Sequence, residues 1–266
     1  ASQSMLAGAV WITVEDVTVD EAMGLVTLQN MPGVDNLDFS IAGDESLSDL
    51  SLEQATAAVE ATNVVAGDVS VKDAAGTIVA TEYDMPGTTS IDLAAVQQVT
   101  VRTNAAAEDL TTYPTLAGIA DVIELNGPVT LLVDQAGLSL TGDGSYSVLD
   151  TAAAIEGAVT DDSAGVLADA TTVTTTDDSL VLTIAEYKQI ADNTTLTSGY
   201  RISDTADSIE AEISADGTSL GVLSGAQSVA STDGTVTLTM AGANTLLGAT
   251  VLDTSYEVVD SASAFL

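Results

Sequence analysis

The chain has 266 residues and carries 40 acidic side chains against four basic ones, a formal net charge of -36. That charge excludes nucleic acid and anionic membrane surfaces as partners, and the absence of His and Cys excludes imidazole bases, thiolate nucleophiles and soft metal sites. With 46% apolar residues there is enough to bury a large core, which argues for a folded chain rather than a disordered one.

Ala1 to Val10, rich in Ala and Leu, reads as the end of a helix and leads into the strand-like run Trp11-Ile-Thr-Val-Glu, which stops at Asp16. Similar runs follow: Val69-Ser-Val-Lys before Asp73, Val99-Thr-Val-Arg-Thr before Asn104, Tyr146-Ser-Val-Leu before Asp150, Tyr200-Arg-Ile-Ser before Asp204 and Tyr256-Glu-Val-Val before Asp260. Together with Asp44, Asn126, Asp177 and Asp233 they form a series of ten Asp or Asn positions spaced 22 to 31 residues apart. Such a period marks a repeat array. Where Ala-rich segments follow, the Asp is placed where a helix N-cap belongs.

The first half keeps the period but diverges in sequence, with Pro32, Pro86 and Pro114 in its connections. From about residue 121 two kinds of coil alternate. One opens on Tyr and continues through an acidic cap, a small pair and an apolar anchor: Asp150-Thr151-Ala152 with Ile155, Asp204-Thr205-Ala206 with Ile209, and Asp260-Ser261-Ala262 with Phe265. In the other, apolar residues follow the Asp or Asn at offsets 3, 5 and 7, as Leu180, Leu182 and Ile184 follow Asp177. The Tyr residues are 54 and 56 apart, a tandem of about 55 residues.

The predicted fold is an α/β repeat, a right-handed β/α solenoid of about ten coils with short parallel strands. Residues 1–120 form divergent coils, and residues 121–266 form regular repeats continuous with them. Stacked at roughly 4.8 Å per coil, successive rungs Asp16, Asp44, Asp73, Asn104, Asn126, Asp150, Asp177, Asp204, Asp233 and Asp260 would make a structural ladder. Two carboxylates at that separation repel by roughly 3.5 kcal/mol at an effective dielectric of 20. Capping of the following helices is one offset. Calcium between rungs is the other, disfavoured because neither a Gly-rich nonapeptide repeat nor an EF-hand loop is present. Looser calcium candidates are Asp143, Asp161 and Asp162. No cofactor is otherwise implied.

Tyr146, Tyr200 and Tyr256 fit packing between coils better than a glycan-stacking stripe, and Trp11 fits a core position. Asn193-Thr-Thr is a chance-level glycosylation triplet. No phosphate loop, nucleophile elbow or convergent acid pair stands out, so no enzyme is expected. A polysaccharide-cleaving solenoid would need a basic residue beside bound calcium, for which only Arg102 and Arg201 are available. No apolar run is long enough for membrane insertion. The chain opens mid-unit with no basic leader, so any export signal would lie outside it.

Joining Leu266 to Ala1 would put Asp260 and Asp16 at an interval of 22 residues, the shortest spacing within the chain. The ends therefore read as one interrupted coil, with copies of itself or flanking repeats as head-to-tail partners. Fold-back of the ends as caps is the alternative.

Tyr200-Arg-Ile-Ser-Asp-Thr-Ala-Asp-Ser-Ile209 and Ala226-Gln-Ser-Val-Ala-Ser-Thr-Asp-Gly-Thr-Val-Thr-Leu238 resemble the tandem repeats of giant bacterial surface proteins, adhesin-like and surface-layer-like. The resemblance covers about residues 121 to 266. It implies an extracellular, cell-surface protein with a structural task in a filament, surface layer or long adhesin, often with calcium-binding repeats. An exposed solenoid face that binds a glycan or a protein is the alternative task.

Overall fold

The computed structural model describes residues 12–29, 37–80, 91–161, 165–191, 194–214 and 217–261. Their strands are β1 (Ile12–Val17), β2 (Leu37–Ile41), β3 (Ser70–Asp73), β4 (Gln98–Arg102), β5 (Glu108–Asp109), β6 (Val122–Leu125), β7 (Val129–Leu131), β8 (Ser139–Gly142), β9 (Tyr146–Asp150), β10 (Thr172–Thr175), β11 (Leu180–Leu182), β12 (Thr195–Leu196), β13 (Tyr200–Asp204), β14 (Ser228–Ser231), β15 (Val236–Leu238), β16 (Val251–Leu252) and β17 (Tyr256–Val258). Short α- and 3₁₀-helices join them. The chain is mixed α/β with several parallel sheets. Parallel neighbours need a crossover to return the chain to the same end, and these intervals supply one: Val148 pairs with Val173, Leu180 with Tyr200 and Ile202 with Val229. Among the described residues the strands sort into five sheets rather than one uninterrupted ladder.

Two compact units are present, one within residues 1–129 plus 138–144 and the other within 130–137 plus 145–266. The first thus takes in more than the divergent stretch 1–120. In it β1 lies beside β2, and β3, β4, β6 and β8 form a four-stranded sheet. Val71, Val99, Val101 and Ile123 turn inward from that sheet and are buried, as are Leu52, Ala55 and Ala58 of the helix Leu52–Val59. Gly142 ends β8 at φ +90, and a Cβ there would lie 2.3 Å from the Leu125 carbonyl oxygen. Only glycine meets both conditions. Lys72 pairs with Glu124 and, at 3.7 Å, with Asp49. Arg102 stands opposite Glu124 across β4 and β6. The Lys72 ammonium, with a smaller contribution from the Arg102 charge, holds the Glu124 pKa below the ordinary value.

In the second unit β7, β9, β10 and β12 run side by side, as do β11, β13, β14 and β16, and β15 pairs with β17. The sheets interleave along the chain, because β11 opens the second before β12 closes the first. Residues about 55 positions apart share burial in the core. Ile155 and Ile209, Leu167 and Leu223, Ile190 and Leu246 occupy matching places and are each 0% exposed.

Candidate functional site: a repeated carboxylate clamp

The first four N–H groups of a helix have no partner within it. In this chain two acceptors from different places share the first turn. Before five of the helices the residue is Ser51, Thr151, Thr183, Thr205 or Thr239, and its hydroxyl accepts the amide three residues on, from Gln54, Ala154, Glu186, Ser208 or Gly242; before Val133 it is Leu132, which has no hydroxyl. The first helical amide is taken by an Asp that comes later in the chain. Leu52 N–H donates to Asp73 (3.0 Å), Val133 to Asp150 (3.0 Å), Ala152 to Asp177 (2.8 Å), Ile184 to Asp204 (2.9 Å), Ala206 to Asp233 (2.8 Å) and Met240 to Asp260 (3.0 Å).

Each of these carboxylates holds the turn behind it, at the positive end of that turn's helix dipole. In Asp73, Asp150, Asp204 and Asp260 the second oxygen accepts the next residue's own amide at 2.7 Å. A single side chain thereby ties two turns together. For Asp177 the Ala152 amide, then the amide of Asp178 and its own, hold the carboxyl below the usual range.

This corrects two expectations. The Asp is not the N-cap of the helix after it, because Thr151 and Thr205 fill that place. Nor do carboxylates stack on carboxylates at strand spacing, since Asp150 pairs with Thr175, Asp204 with Ser231 and Asp73 with Val101. The repulsion calculated for a strict ladder does not arise at those pairs.

The neutral rungs behave differently. Asn126 donates through Nδ2 to the Thr103 carbonyl at 2.9 Å, and Asn104 donates to Glu108. Asp16, at φ 54, and Asp44 take no helix amide among the described residues. Asp143 and Asp161 are exposed, and Asp162, Asn193 and Trp11 lie outside the described residues. Among those described, no three acidic side chains converge on a point that would hold a metal ion. Arg102 faces Glu124, and Arg201 is exposed on β13 opposite Val181.

A second carboxylate device recurs in the second unit. Glu156 accepts the Val181 amide at 2.6 Å, and Glu210 accepts that of Thr237. Val181 and Thr237 are the middle residues of β11 and β15, each at the edge of its sheet. A charged side chain on an edge amide also blocks pairing with a foreign strand. The signal was available as Ile-Glu in both tandem units, at Ile155-Glu156 and Ile209-Glu210.

Tyr146 and Tyr200 are buried, and their hydroxyls donate to the carbonyls of Val166 (2.7 Å) and Val222 (2.6 Å). Tyr200 also lies against Tyr187, ring centroids 4.4 Å apart. Burial is the main cause that pushes the Tyr146 phenol up to about 12 and raises that of Tyr200. A phenol whose folded pKa exceeds its unfolded value of about 10 contributes stability that is complete below pH 10 and lost as pH rises through the folded value. The second unit should therefore lose stability as pH rises from about 10 through about 12, the folded value of Tyr146. Circular dichroism against pH checks this, and the Tyr146→Phe variant should show a shallower decline.

Compared with family models, curated proteins and solved structures, the chain matches none.

Proposed function

We propose that this chain is a structural repeat module, a right-handed β/α solenoid of about ten coils, that builds an extracellular bacterial filament, surface layer or long adhesin by end-to-end stacking. The observation that carries this reading is the backward clamp. Six Asp side chains each bind the first amide of a helix in the preceding turn. An architecture of this kind draws its stability from neighbouring turns and grows by adding them.

The Tyr rows support scaffold over glycan binding, because Tyr146 and Tyr200 are buried and their hydroxyls are used internally. The resemblance to giant surface-protein repeats and the charge of -36 fit a saline exterior in which counter-ions screen self-repulsion. Electron microscopy of the purified chain, with and without a calcium chelator, tests the reading. Fibres or sheets are expected; monodisperse particles in both conditions would refute it. Loss of order on chelation would add calcium as a structural ion.

A further inference from the structure

The four-stranded sheet of the second unit has a fixed composition. Its order β11-β13-β14-β16 places a short apolar strand first, a Tyr strand second, a strand centred on Val229 third and a two-residue strand last. Two other sheets stop at two strands. β15-β17 repeats the first pair, with Val236 opposite Tyr256 where β11 and β13 set Leu180 opposite Tyr200. β1-β2 matches the second pair, with Ile12 opposite Leu37 as Val229 is opposite Leu252.

The sequence makes the second correspondence specific. Leu6-x-Gly8-Ala9-x-x-Ile12-x-x-x-Asp16 has the spacing of Leu223-x-Gly225-Ala226-x-x-Val229-x-x-x-Asp233, and Leu167-x-x-Ala170-x-x-Val173-x-x-x-Asp177 shares its frame. β14 and β10 are the strands that cover the Tyr strands β13 and β9. On β17 no such strand is present among the described residues, and Tyr256 is 42% exposed where Tyr146 and Tyr200 are 8% and 6%. Val259 beside it is 58% exposed. β1 likewise has one edge without a strand among the described residues.

We propose that β1 of one copy pairs in parallel with β17 of another, joining two half-sheets into a four-stranded β15-β17-β1-β2. Transferred from β13 and β14, the register sets Ile12 opposite Val258, Thr13 opposite Val259 and Val14 opposite Asp260. Asp16 takes the place of Asp233, which clamps the helix after the Tyr strand. The partner is thus a second copy of this chain, and the inference rests on the end-to-end reading above. Two strongly acidic bodies meet at the joint, so added salt strengthens it.

The chain has no Cys, which permits a direct test. Full-length Thr13→Cys and Val259→Cys proteins carrying tags of different size are mixed and treated with a short bis-maleimide at physiological salt. Docked thiols react at an effective concentration far above that in solution, so the mixed dimer should exceed by about tenfold that from a Val65→Cys and Val259→Cys mixture. Position 65 is exposed and far in sequence from either edge. Peptide mapping should locate the link at 13 and 259. Equal yields would overturn the proposal. Fibres without the 13–259 link would overturn this register while leaving end-to-end assembly standing; neither fibres nor link would end both. In the unsubstituted chain, amide exchange at Val258, which by strand alternation faces away from β15 because the Val259 amide donates to the Leu238 carbonyl, should slow as concentration rises, and a concentration-independent rate would count against the joint.

Discussion

Ile209→Ala should destabilise the second unit by about 3 kcal/mol, the cost of lost transfer energy plus a cavity that close packing cannot fully collapse. Ile209 is 0% exposed on the inner side of the helix Ala206–Glu212. That helix has only seven residues, too short to persist without tertiary packing, so its anchor holds both the side chain and the helix. Ile155→Ala, at the matching place of the preceding repeat and also 0% exposed, should cost a similar amount. Val181→Ala, 45% exposed on a strand edge, should stay within about 0.5 kcal/mol. Denaturant unfolding of the three variants checks this. A loss at Ile209 no larger than at Val181 would mean that the helix does not depend on its anchor.

The Ile anchors were legible because they recur at fixed offsets from Tyr and Asp. So were strand positions, since β-branched residues alternate before Asp73, Asp150 and Asp204 and the strands end there. What the sequence hid is direction. Asp150-Thr151 and Asp204-Thr205 present two capping residues in a row, and either can accept an amide of the helix that follows. Thr is one residue closer and takes the amide three positions on, so the Asp is left outside its own helix and turns to the preceding one. Sheet membership was equally hidden. A regular period fixes how often strands occur, yet whether β12 pairs with β10 or with β13 depends on non-local register that no short motif encodes. The edge caps Glu156 and Glu210 are hidden for the same reason, their partners lying 25 and 27 residues away.

The clamp carries the second large effect. Asp204→Ala leaves the Ile184 and Thr205 amides without their acceptor, and Ile184 is buried. An unsatisfied buried donor costs about 2 kcal/mol, and this substitution removes a charge-assisted bond at a helix N-terminus as well. Asp204→Asn should cost less, because its single carbonyl oxygen can keep one of the two amides while its NH₂ faces the other. The location of the damage separates a backward clamp from an ordinary cap. If Asp204 stabilised mainly the helix after it, amide exchange in Asp204→Ala would accelerate at Ala206 to Ser208. Thr205 already caps that helix through Ser208 N–H, and Asp233 holds Ala206, so those amides should change little. The acceleration should instead appear at Ile184 to Glu186, about twenty residues earlier. Because Asp150 and Asp260 make the same pair of bonds, each substitution should loosen the helix behind it and no other.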